Sequence, residues 1–136
     1  ANERVLDRLE EAGMIESRAG QLLMHVVAAE SRWLARVRGE PEELDFWPDP
    51  SPELCRQVCD AAGAGWRRYV ELHGLDKPVD YETSKGVPYR HSVREILMQV
   101  VAHGEHHRGQ IALILRDGGH APVNTDYITF LRERQK

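Results

Sequence analysis

The sequence predicts an all-α fold, an antiparallel four-helix bundle with a short C-terminal helix and an irregular or hairpin segment near residues 75–91. Three observations carry this. Four long segments repeat apolar side chains at helical spacing. The later ones are bracketed by a serine at the start and a glycine at the end, the residues that cap helices. The connections between them are short or medium, which leaves successive helices antiparallel.

Residues 2–13 read as the first helix, with Val5, Leu6 and Leu9 on one side and Gly13 as the stop. The pattern opens abruptly, as it would after removal of an initiator Met or loss of a first turn. Ser17 caps a second helix that runs to Arg38 and ends at Gly39 and Pro41. Its apolar residues, Leu22, Leu23, Val26, Val27, Trp33, Leu34 and Val37, cover a wide arc, as in a helix with two neighbours. Residues 40–50 form a Pro-rich loop whose Phe46 and Trp47 call for burial. Ser51-Pro52 opens a third helix to His73, closed by Gly74, with Leu54, Val58, Ala62, Trp66, Tyr69 and Leu72 as its stripe. Val79–Thr83 and Val87–Tyr89 flank Ser84-Lys85-Gly86 and form either a small hairpin or two extended arms. Ser92 and Glu95 make a capping box for a fourth helix that runs to Asp117 and stops at Gly118-Gly119. Thr125 caps a last short helix over 126–134. The whole span, 1–136, reads as one domain.

Composition narrows the function. The net charge is −4, with 41% hydrophobic and 29% charged residues. That balance argues against nucleic acid or an anionic membrane surface as partner. No apolar run approaches the roughly 20 residues of a membrane span, and the N-terminus does not read as a signal peptide. Cys55 and Cys59 lie four apart on a helix, where a disulfide is geometrically poor. Free thiols in a reducing cytoplasm are expected.

The chemistry lies in the histidines, seven in all. In the fourth helix, Val93, Leu97, Val100, Gly104, His107, Ile111 and Ile114 are expected on one face, with His103 at its edge and one turn before His107. His106 points toward the polar side. Two stacked imidazoles in an apolar face cannot satisfy each other, and a metal ion taking one lone pair from each resolves this. A third ligand must come from another helix. His25 is the best candidate, mid-helix and on the border of the apolar arc. His73, His91 and His120 stand at helix ends or in loops. The alternative for each histidine is a hydrogen-bonded core residue, or a group that titrates near neutral pH.

The run His103-Gly104-Glu105-His106-His107-Arg108-Gly109-Gln110-Ile111 closely resembles the H-G-x-H-H-R-G-Q-I signature of the DinB-like superfamily. Ala1-Asn2 to Leu6 resembles that family's opening, without its Trp. Met24-His25 to Trp33 is similar to its second-helix pattern, and Thr125-Asp126-Tyr127 to Arg132 to its close. The pattern departs at Gln99, where many relatives carry His. The resemblance implies a four-helix bundle, often dimeric, that holds a divalent metal, Zn or Ni, on His25, His103 and His107. It also implies metal-dependent hydrolysis or transfer of small thiols such as bacillithiol or mycothiol, so the expected partners are a small-molecule substrate and a second copy of the chain.

Three imidazoles leave a metal one open position, the mark of a catalytic rather than a structural site. Water there ionises near neutral pH and a thiol binds as thiolate, so the donor set serves hydrolysis or thiol transfer alike. The candidate helpers are Gln110, toward a ligand or bound water, and Glu30, which lies deep in the second helix's apolar arc. Glu30 is expected to pair across two helices, with Arg108, or to orient a histidine. Trp33, Tyr89 and Tyr127 are expected to pack. Two other classes stay open: a non-catalytic metal-binding or stress-response protein, and a metal-free dimeric binding module.

Overall fold

The computed structural model describes every residue, Ala1–Lys136. Helices α1 (Asn2–Glu11), α2 (Arg18–Arg38) and α3 (Pro52–His73) come first. Strands β1 (Pro78–Glu82) and β2 (Pro88–Ser92) follow, then α4 (Val93–Asp117) and α5 (Tyr127–Glu133). The chain is therefore mostly helical rather than all-helical. No helix is long and apolar enough to cross a membrane.

Local chemistry explains most of the boundaries. Ser17 Oγ accepts from the Ala19 amide at 3.1 Å and Ser51 Oγ from the Leu54 amide at 3.2 Å, each satisfying a donor that an α-helix leaves unpaired. At Ser92 the capping box is complete, with Glu95 N to Ser92 Oγ at 3.2 Å and Ser92 N to Glu95 Oε2 at 2.8 Å. Gly39 ends α2 at φ +68°, a left-handed conformation that side chains with a Cβ resist. Two terminal expectations shift. Helix α1 ends at Glu11, and α5 starts at Tyr127 behind Asp126, not Thr125, with no side-chain cap.

Of the two forms open to the segment near 75–91, the hairpin is the one present. Antiparallel pairing sets Val79 opposite His91 and Tyr81 opposite Tyr89. Asp80 and Arg90 form a two-point ion pair across it, at 2.6 and 2.9 Å. Val79 turns inward and is buried, which ties β1 to α2 while β2 runs directly into α4.

Helix α2 packs against α1, α3 and α4, as its wide apolar arc requires. Its core falls into two clusters. One joins Val5, Leu6 and Leu9 of α1 to Leu22, Leu23, Met24 and Val27, with Cys55, Ile111 and Leu115. The other joins Leu34, Val37, Trp66, Tyr69, Val79, Val93, Ile96 and Val100. Glu30 of α2 and Arg108 of α4 fall between them, and there the interior turns polar. The buried stripe of α4 is also rotated from the expected one: Ile96, Gly104, Arg108, Ile111 and Leu115 are buried, while Leu97, His107 and Ile114 sit at its margin. That rotation leaves the histidines at the edge of the α2–α4 seam, open to solvent. Cys55 and Cys59 are free thiols, Cys55 fully buried.

Candidate metal centre

Helices α2 and α4 bring His25, His103 and His107 together. One ring nitrogen from each lies within 4.8 Å of the others. His25 Nε2 and His103 Nε2 are 3.1 Å apart. Two nitrogens bonded tetrahedrally to one zinc-like ion at its usual bond length stand about 3.3 Å from each other, so this spacing matches a shared ion.

The remaining ring nitrogens are held by the protein. His25 Nδ1 lies 2.6 Å from the Phe46 carbonyl oxygen. A carbonyl only accepts, so Nδ1 carries the proton and Nε2 keeps its lone pair. His107 Nδ1 donates likewise to Gln110 Oε1 at 2.6 Å. Such bonds on the far nitrogen fix tautomer and ring direction in metal-ligating histidines. The indole of Trp47 also stacks on the His25 ring, at 3.9 Å and 7° between planes. These contacts leave Nε2 of His25 and of His107 with a lone pair, and the one protein group that meets either is His103, at His25 Nε2.

The electrostatics favour the form a cation needs. Burial and then the charge of its neighbours, His107 first, push His103 down to about 4. Burial likewise lowers His25, against the opposing effect of the Phe46 carbonyl. Both imidazoles are neutral at physiological pH and able to donate a lone pair.

The loop after α2 was expected to bury its aromatics, yet Phe46 and Trp47 are 49% and 47% exposed. Each uses one face instead. Arg32 lies 3.8 Å over Phe46, and Trp47 stacks on His25 with Arg18 4.7 Å over its ring. Arg32 also donates to the Leu44 carbonyl and meets Glu42 at 3.4 Å, so it holds this loop against α2.

Glu30 does not meet Arg108 or any of the three imidazoles. Its Oε1 accepts from Asn2 Nδ2 at 2.9 Å, and Asn2 Oδ1 accepts from Arg108 Nη1 at 2.7 Å. Arg108 is 8% exposed and pairs with Glu105 at 2.6 Å. Burial raises the Glu30 carboxyl above its ordinary value, with the Asn2 bond opposing. Asn2 is thus the residue that reading the motifs did not single out for a role: an uncharged amide offers a donor to one buried charge and an acceptor to the other. Gly104 completes the arrangement. A Cβ there would lie 2.9 Å from the Arg108 guanidinium, which would have to shift from its place against Asn2 and Glu105. His106 packs edge-on to His107 at 5.0 Å but stays exposed, outside the triad, as expected.

A sequence model of the DinB family matches residues 9–136. The chain is also similar to "Protein DinB" of Bacillus subtilis (strain 168), at 39% identity over 57 residues, which cover 42% of this chain and 33% of that protein. The match thus spans about a third of that relative's length.

Proposed function

The chain belongs to the DinB family, and on that footing we propose that His25, His103 and His107 hold one divalent metal ion and that this open site acts on a small molecule. The observation that supports it is the convergence of three ring nitrogens from two helices within 4.8 Å. Three imidazole donors suit Zn or Ni. An ion bound there supplies Lewis-acid activation of a water or a thiol in its remaining position, which fits hydrolysis or small-thiol transfer. The chain's own part is to hold the ring planes: Phe46 and Trp47 orient His25, and Gln110 orients His107.

In this reading α1 to α4 form the four-helix bundle of the family and two copies pair. Exposed Met98, Val101 and Leu113 on α4, with Tyr127, Ile128 and Phe130 on α5, supply apolar surface for that contact. A second reading is a metal-binding protein without catalysis. It is favoured by one observation: no carboxylate is hydrogen-bonded to the three imidazoles, and Glu30 is committed to Asn2.

Elemental analysis of untagged protein tests the metal. About one equivalent per chain is expected, falling to background in the triple variant His25→Ala, His103→Ala, His107→Ala. A metal content that the triple variant retains sinks the assignment. Thiol-transfer and hydrolysis assays on the loaded protein then separate the two readings, with His107→Ala as the inactive control.

A further inference from the structure

An open cavity of about 360 Å³ lies between α2, α4 and the hairpin, lined by Trp33, Tyr81, His91, Glu95, Ile96 and Gln99. Its place relative to the histidines follows from helical spacing. On α4, Glu95, Gln99, His103 and His107 succeed one another in steps of four residues, about one turn and 6 Å each. On α2, His25, Ala29 and Trp33 do the same in the opposite direction. The cavity therefore occupies the same seam, one turn beyond His103. Between Trp33 and His25 that line of α2 carries only the methyl group of Ala29. Its volume falls within the range of small-ligand sites.

The walls state what it would take. Trp33 and Tyr81 meet edge to face at 5.3 Å, and the Tyr81 hydroxyl is hydrogen-bonded to His91 Nδ1 at 2.9 Å. Glu95 binds Ser92 N and Oγ through Oε2, at 2.8 and 2.9 Å, and its Oε1 has no protein donor. Those bonds hold the Glu95 carboxyl below its ordinary value, so it is ionised. The Gln99 amide makes no hydrogen bond within the chain. No Lys or Arg lines the cavity. Arg36 lies over the Trp33 and Tyr81 rings at 4.6 and 5.6 Å, outside the lining, and is paired at 2.7 Å with Glu42, a carboxylate it shares with Arg32. Arg36 already covers those two rings, so the preference rests on the free Glu95 carboxylate oxygen, which favours a donor, a cation above all, over an anion.

We propose that this cavity is the subsite for the part of the substrate remote from the reacting group, and that it takes a donor-bearing, non-anionic group, an amine above all. The proposal rests on the three-histidine reading for the other end of the same ligand.

The test uses the full chain loaded with cobalt(II). The two probes are an aminoalkanethiol and a mercaptoalkanoate of equal chain length, about ten carbons, enough to span the two helical turns between His103 and Glu95. Thiol binding is read from thiolate-to-cobalt absorption. The aminothiol is expected to bind about tenfold more tightly. Glu95→Gln should erase that preference, because Gln preserves the capping box while removing the charge. Equal affinities in the unaltered protein, or a preference that survives Glu95→Gln, overturn the proposal. Cobalt uptake is read separately from the ion's own absorption, and its failure sinks the metal reading instead. In that event pentylamine and pentanoate, titrated into the labelled metal-free protein, decide the subsite. Amide shifts at Tyr81, Glu95 and Gln99 with the amine alone support it, and their absence ends it.

Discussion

A lone pair on an imidazole is useful to a cation only while the ring is unprotonated, and burial decides this for His103. Its value falls from 6.5 to about 4 because the charged ring loses water and faces other histidines. The consequence for stability has a definite sign. The unfolded chain takes up a proton at His103 near 6.5 and the folded chain does so only near 4, so the unfolded state binds more protons between these limits. This contribution to stability is complete above pH 6.5 and is lost as pH falls toward 4. Glu30, raised by burial, acts in the opposite sense: its contribution is complete below its ordinary 4.5 and is lost as pH rises through the raised value. Urea unfolding of the metal-free protein from pH 8 to pH 5 is therefore expected to show a falling midpoint, and His103→Gln to show a shallower fall. Equal slopes would mean that His103 takes no part.

Within α4, two glycines of one motif do different work. Gly109 has open space around its would-be Cβ and an ordinary helical backbone, whereas Gly104 faces the buried guanidinium of Arg108. Alanine at 109 is expected to stabilise the protein by about 1 kcal/mol, the usual difference in helix propensity. Alanine at 104 gains the same propensity but displaces Arg108 from Asn2 and Glu105, so its midpoint should fall below that of Gly109→Ala and below the parent. Thermal melts of the two variants decide this. Element ends were legible at α2, α3 and α4, because a serine cap acts within two or three residues of itself. The start of α5 was not, since Thr125 makes no capping bond and Asp126 takes the terminal position without one.

At the scale of the whole molecule, two apolar clusters lie either side of a polar layer, and Asn2 pins that layer across three helices by touching Glu30 of α2 and Arg108 of α4. Asn2→Ala strips a donor from one buried charge and an acceptor from another, which is expected to destabilise the fold by about 1–3 kcal/mol. Chemical denaturation measures it. A variant as stable as the parent would show that Arg108 and Glu30 find other partners.

Sequence periodicity, serine caps and the spacing of His103 and His107 already determined the helices and the candidate ligand pair, because each rests on interactions within a few residues. His25 sat on the border of an apolar arc, where periodicity alone has no preference, and the family resemblance supported it. Only the tertiary structure decided that the Phe46 carbonyl and Trp47 orient His25, that Asn2 stands between Glu30 and Arg108, and that the hairpin walls a cavity with Trp33 and Gln99. Those contacts join residues far apart along the chain, through loops and backbone oxygens that carry no pattern of their own until the helices pack.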